Sequence, residues 1–287
     1  MGTDKERVGT APINPSRERL DKPVDSSRER VGIVVPTIGG RPEYMPEALK
    51  SIRQAVANPQ DVYILMVGRA GFDPTPYAHL IDEYLDETEP NLAAKINQGF
   101  AALPKDIRFI NWLGDDDRLT PGSLTAALNR ITQADQPTLV YGGCQYIDPA
   151  GNVIWNQNSG PWAPALLRFG PQLIPQPGAL YRRDTVETIG GLSTKFGWAF
   201  DFELFYRLSE EGKTAFINQP LAQFRWHPGS LSVSRRRESV AEASQVRKAH
   251  HPKWLQTPGL RAITELWELP VRQATYWAGI RLGKKLK

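Results

Sequence analysis

Short apolar runs alternate with stretches of helical spacing from residue 31 onward. Val31-Gly32-Ile33-Val34-Val35-Pro36 reads as a buried strand closed by proline, followed by a loop from Thr37 to Arg41. Pro46 suits the first turn of a helix whose Ala48, Leu49, Ile52 and Val56 share a face. Val62 to Val67 is a second buried strand. Leu80, Ile81, Tyr84 and Leu85 predict a helix, and Leu92, Ile96, Phe100 and Leu103 predict another. The run Phe109-Ile110-Asn111-Trp112-Leu113 is a third strand, stopped by Gly114 and the triplet Asp115-Asp116-Asp117 ahead of a Thr120-Pro121 helix start. Such alternation argues for an α/β fold with a mostly parallel central sheet flanked by helices.

The pattern after residue 137 is more mixed. Thr138 to Ile147 reads as a strand, residues 148–152 as a turn, and Val153 to Trp155 as a short strand. Asp184-Thr185-Val186-Glu187 has the form of a capping box for a helix that stops at Gly190-Gly191. Asp201 to Glu211 is a helix closed by Gly212, and strands at Thr214 to Asn218 and Leu221 to Trp226 precede a loop from His227 to Ser232. Residues 1–30 carry prolines and many charges with little periodic hydrophobicity, and read as a flexible arm. Residues 31–232 then form the main domain and 233–287 a helical C-terminal extension. That extension mixes Trp267, Tyr276, Trp277 and Ile280 with Arg272, Arg281 and three lysines. The mixture suits peripheral membrane contact or a helix packed back on the domain, and both readings stand.

At 287 residues, with 40% hydrophobic and 23% charged residues, the composition is that of a globular protein. The net charge of +4 (35 basic minus 31 acidic) is too small and dispersed to indicate a nucleic-acid partner. Arg235-Arg236-Arg237 reads better as a patch facing an anionic membrane or acceptor. Cys144 is the only cysteine, so no intrachain disulfide forms. The first thirty residues lack an apolar signal core, and no apolar stretch of about 18 residues occurs. The expected setting is cytoplasmic, with attachment at the inner face of a membrane as an option.

Three adjacent carboxylates repel one another unless solvent, bases or a cation offset the charge. At the C-terminal end of a strand they stand where open α/β sheets place ligand groups. A divalent cation, Mg²⁺ or Mn²⁺, carrying substrate phosphates suits such a cluster, because Mg²⁺ takes one or two carboxylates plus phosphate and water.

The order Val34-Val35-Pro36-Thr37 with Arg41-Pro42-Glu43-Tyr44, then Asn97-Gln98-Gly99, then Asp115 to Asp117 with Pro121-Gly122, continues along the chain. Gln176-Pro177-Gly178, Gly190-Gly191, Asp201-Phe202-Glu203-Leu204 and Phe224-Arg225-Trp226-His227 complete it. Together these motifs resemble family 2 glycosyltransferases, inverting enzymes of the GT-A fold, over roughly residues 31–232. The resemblance implies a nucleotide-diphosphate sugar donor, a divalent cation, and a carbohydrate or lipid-linked acceptor in cell-surface polysaccharide or glycolipid synthesis. It implies metal contacts from Asp116, Asp117 and His227, and a general base at Asp201. Pro36, Thr37, Arg41 and Asn97 fall to the donor side, Arg225 to a phosphate, and Gln176 and Gly178 to the donor-sugar or acceptor pocket.

Two departures from the family pattern stand out. Gly114 occupies the usual place of the first acid, and Asp115 either takes that acid's role toward the ribose or is simply solvated. After the second strand an expected acid pair is replaced by Gly68-Arg69, leaving Asp73 or Arg69 as substitutes. Asp201 also reads as a helix N-cap, Glu203 as an alternative base or an ion-pair partner of Arg207, and His250-His251 as structural. The competing functions are a non-catalytic nucleotide-sugar-binding scaffold of the same fold and a nucleotidyltransferase.

Overall fold

The computed structural model describes residues 29–167, 169–227, 229–230, 235–251 and 257–284. In chain order the elements are β1 (Val31–Thr37), α1 (Met45–Gln54), β2 (Val62–Gly68), β3 (Glu83–Asp86), α2 (Leu92–Ala102) and β4 (Phe109–Trp112). There follow β5 (Arg118–Leu119), α3 (Ser123–Ile131), β6 (Leu139–Ile147), β7 (Val153–Gln157), α4 (Ala163–Leu166), β8 (Leu180–Arg182) and α5 (Arg183–Thr188). The chain continues with α6 (Phe200–Glu211), β9 (Thr214–Arg225), α7 (Arg236–Ala249) and α8 (Pro258–Lys284). The strands form one sheet in the order β3-β2-β1-β4-β8-β6-β9-β5, with β7 paired to β6.

Strands β3, β2, β1 and β4 run parallel, as the early strand–helix alternation requires, and β9 is parallel to β6. Antiparallel pairs enter through β5, β7 and β8. The period-two alternation of each inner strand divides the core between the sheet's faces. Ile33, Val35, Ile64 and Met66 pack with Leu49, Ile52 and Leu124 on one face. Val34, Leu65 and Val67 join Ile96, Phe100, Trp112 and Phe202 on the other. Because Val34 pairs with Trp112, the residues three further along, Thr37 and Asp115, leave the sheet at the same level. That register creates the site.

One expected helix is a strand. Leu80, Ile81, Tyr84 and Leu85 fit helical spacing, but residues 83–86 pair with β2, Leu65 opposite Glu83 and Gly68 opposite Asp86. Pro74, Pro76 and Pro90 leave little room for a helix, and the open edge of β2 captures the segment. The Asp82 carboxylate holds the approach by accepting from Ile64 N–H at 2.8 Å and Arg53 Nη2 at 2.5 Å. The two strands expected over 214–226 are one strand with irregular register near Pro220. The helix after Pro121 begins at Ser123, behind a left-handed Gly122.

Candidate functional site

The site is built where β1 and β4 end. Asp115 accepts hydrogen bonds from Thr37 Oγ1 at 2.6 Å and Arg41 Nη1 at 2.7 Å. Arg41 Nη1 also lies 3.3 Å from Asp116 Oδ2, and its Nη2 donates to the Gly229 carbonyl at 2.8 Å. The guanidinium therefore joins the loop after β1, the acid triplet and the loop after β9. Asp116 Oδ2 stands 2.9 Å from His227 Nε2, and the His227 ring rests 5.5 Å from that of Tyr44. Asp117 is buried, and its Oδ1 accepts the backbone N–H of Arg225 at 2.9 Å.

Burial pushes the Asp115 carboxyl up, against the pull of Thr37 and Arg41. Burial, and then the Asp116 charge, push Asp117 well up. Burial works to lower Arg41, yet the surrounding carboxylates hold it above its ordinary value. Gly114 is the reason the acids can crowd: a Cβ there would lie 2.9 Å from Asp116 Oδ1 and 3.2 Å from Asp117 Oδ2.

Among the described residues no three His, Cys, Asp or Glu side chains form a ready metal cage. The donor set still fits a Mg²⁺- or Mn²⁺-type cation. One carboxylate and one imidazole, Asp116 and His227, face each other beside a second buried carboxylate, and such ions take their remaining ligands from phosphate and water. Asp115 is paired with Arg41.

Arg225 departs from expectation. Only 1% of it is exposed, and its Nε donates to Asp116 O at 2.9 Å and its Nη1 to Pro149 O at 2.8 Å. Its Nη2 pairs with Glu47, and the guanidinium covers the Tyr44 ring at 4.4 Å. So fully engaged, this side chain braces the acids from beneath, while Arg41 keeps about 20% of its side chain exposed. Asn97 is likewise occupied, exchanging hydrogen bonds of 2.8 Å in each direction with the Leu192 backbone. Gly178 has φ +82° and lies against Leu221, where a Cβ would meet that residue's Cβ at 2.9 Å, so no side chain fits there. Pro36 is buried within β1. Gln176 donates to Asn111 Oδ1 and Trp112 O at 3.1 and 2.9 Å, and so lines the end of β4.

Asp201 sits in the first turn of α6, whose N-cap is Ala199, so the N-cap expectation fails by two residues. Its Oδ2 accepts from Gln172 Nε2 at 2.7 Å and its Oδ1 from the Phe202 N–H at 2.8 Å. Burial raises the carboxyl above the ordinary aspartate value despite these two bonds. Phe200, just before it, packs on Trp112 at 6.0 Å, which ties α6 to the strand that carries the acids. Glu203 forms the expected pair with Arg207, at 2.5 and 2.7 Å, and His250 Nε2 approaches it at 3.4 Å.

Several participants had no marked sequence signal. Glu242 of α7 accepts the N–H groups of Gly197, Trp198 and Ala199 at 3.1, 2.7 and 3.0 Å, capping the segment that delivers Asp201. Gln172 comes from a loop 29 positions before Asp201. Lys95 is buried in α2, donates to Thr37 O at 3.2 Å and pairs with Glu87; a lysine inside an apolar helical pattern was its only hint. At the end of β2 a Cβ on Gly68 would strike Tyr84 Oη at 2.7 Å, and Tyr84 donates to Asp86 at 2.8 Å. Asp73 is engaged with the Thr75 N–H at 2.9 Å instead of reaching back toward Gly68.

No family model matches the chain. The O-antigen biosynthesis protein RfbC of Myxococcus xanthus is 26% identical over 251 residues, covering 84% of this chain and 18% of that protein. The chain thus spans under a fifth of its relative's length. Among solved structures, the mannosyltransferase PcManGT from Pyrobaculum calidifontis, in complex with GDP-Man and Mn²⁺, superposes with a TM-score of 0.54. It is 19% identical, with 93% of this chain and 81% of that one covered. S. aureus TarS 1–349 in complex with UDP-GlcNAc gives a TM-score of 0.57 at 11% identity, covering 76% of this chain and 66% of that one. The chain thus shares the GT-A-like α/β fold of these solved glycosyltransferases.

Proposed function

We propose that the protein transfers a sugar, with inversion, from a nucleotide-diphosphate donor to an acceptor hydroxyl. The observation that carries this reading is the joint of Thr37, Arg41, Asp115, Asp116 and His227 at the ends of β1, β4 and β9, tied through Trp112 and Phe200 to an aspartate whose proton affinity is raised. Asp116 and His227, with Asp117 in support, would hold a divalent cation, which when bound neutralises charge on the leaving diphosphate. Arg41 adds a fixed positive charge on the same side. Asp201 takes the acceptor proton as the acceptor oxygen bonds to the anomeric carbon, and the bond to the diphosphate breaks with its electron pair leaving on the nucleoside diphosphate. Desolvation makes Asp201 a stronger base than an exposed aspartate.

Asp86, paired opposite Gly68, is the acid we assign to the nucleotide-reading end, in place of the one missing from β2. The relative named for O-antigen synthesis supports a polysaccharide or lipid-linked acceptor in cell-surface assembly. The test is nucleoside diphosphate release from UDP-, GDP-, dTDP- and CDP-sugars with Mn²⁺ or Mg²⁺, and the anomeric configuration of the product by NMR. Metal-dependent release from one donor class with inverted product is expected. Absence of release from every donor points to a scaffold, and a retained configuration overturns the single-displacement chemistry.

A further inference from the structure

The C-terminal helix α8 turns one stripe inward and another outward. Glu268 and Val271 are buried on the inner stripe. Arg247 of α7, itself buried, grips Glu268 through Nε and Nη2, each at 2.6 Å. A bidentate pair of this kind fixes the rotation of α8 about its own axis. Ile263, Leu266, Trp267, Pro270, Ala274 and Trp277 fall at i, i+3, i+4, i+7, i+11 and i+14, a single helical face, and all are exposed. Exposure reaches 61% at Ile263, 68% at Leu266 and 57% at Trp277. No acid lies on this stripe, and Arg281 continues it at the C-terminal end. Residues 257–287 hold six basic and two acidic side chains, a net +4.

We propose that this stripe docks α8 on an anionic lipid surface, lying in the plane of the interface. A broad apolar face bearing tryptophans and ending in basic residues matches the chemistry of a bilayer's headgroup boundary. No helix among the described residues is long and apolar enough to cross a membrane, so the contact lies along the surface. A seam between two copies would favour leucine and β-branched knobs at these positions, whereas this stripe carries two tryptophans and a proline. Trp267 Nε1 also donates to the Phe169 carbonyl at 2.6 Å. The lipid surface therefore adjoins the segment leading to Gln172, which holds Asp201. If the acceptor is lipid-linked, as proposed above, its hydroxyl arrives on the base side of the site.

The test is co-sedimentation of the full chain with vesicles of phosphatidylglycerol and phosphatidylethanolamine, against phosphatidylcholine alone, at low and high salt. Binding to the anionic vesicles, weakened by salt and accompanied by a blue shift of tryptophan emission, is expected. The double substitution Ile263→Glu, Leu266→Glu should reduce vesicle partitioning by about tenfold or more with an unchanged melting temperature. Trp277→Ala, a milder change, should reduce the blue shift should the double variant fail to fold. Absence of vesicle binding, binding indifferent to these substitutions, or a dimer that the double variant splits would overturn the proposal. No transfer is measured, so failure here leaves the transferase reading untouched, and failure of transfer leaves this one untouched.

Discussion

The acid triplet after β4 is buried and the lone Asp201 on α6 is half-buried, and their surroundings differ in kind. Asp115, Asp116 and Asp117 meet Arg41, His227 and the Arg225 backbone N–H, groups brought from the loop after β1 and the end of β9. Burial pushes Asp201 up as it does Asp115 and Asp117, but Arg41 opposes the rise at the triplet, whereas at Asp201 the opposition comes from the neutral Gln172 amide and backbone N–H groups. Fixed cations and a potential metal ligand suit a place where negative charge must stay. A neutral, desolvated setting suits a group that must accept a proton and release it. Under the proposed function, the donor diphosphate belongs to the first region and the acceptor to the second.

Asp201→Asn breaks the comparison most severely. With the base gone, kcat should fall by ~10²–10⁴-fold while donor affinity holds, as read by steady-state kinetics; near-normal turnover would remove Asp201 from the mechanism. Arg225→Met tests whether the first region is braced rather than recognised. Losing buried bonds to two carbonyls should cost about 2–4 kcal/mol in urea unfolding, whereas a phosphate contact would instead weaken donor binding at unchanged stability. Glu242→Ala should lower kcat roughly tenfold by releasing three N–H groups ahead of Asp201. Glu242→Gln, which keeps an acceptor oxygen, should recover part of that loss, and the donor KM should not move in either variant. Gln172→Leu is the subtlest change. Removing a donor to the anion raises the Asp201 carboxyl further, so the base stays protonated to higher pH and the acid limb of the kcat profile shifts upward. A limb that stays in place would show that Asp201 does not govern it.

How much of this was legible in the chain depended on sequence distance. The meeting of Thr37 with Asp115 follows from two apolar strands of a parallel sheet, each readable as a run of its own. The Glu203–Arg207 pair is a matter of helical spacing alone. Arg225 looked free for a phosphate because nothing local announces that its side chain runs back to Asp116 O and Pro149 O. The partner of Asn97 was hidden in the same way, since Leu192 lies 95 positions away. Residues 80–85 misled for a different reason: four apolar positions fit a helix and an edge strand alike, and only the vacant side of β2 decides. Gln172 and Glu242 were invisible because each acts through backbone or amide contacts made by tertiary folding.

The central claim, that donor and acceptor chemistry are divided between these two regions, is tested most directly by calorimetric titration of a nucleotide-sugar with Mn²⁺ into the wild-type protein, Asp116→Ala and Asp201→Asn. The division predicts metal-dependent binding that Asp116→Ala loses and Asp201→Asn keeps. Retained metal-dependent binding in Asp116→Ala, or its loss in Asp201→Asn, would contradict it.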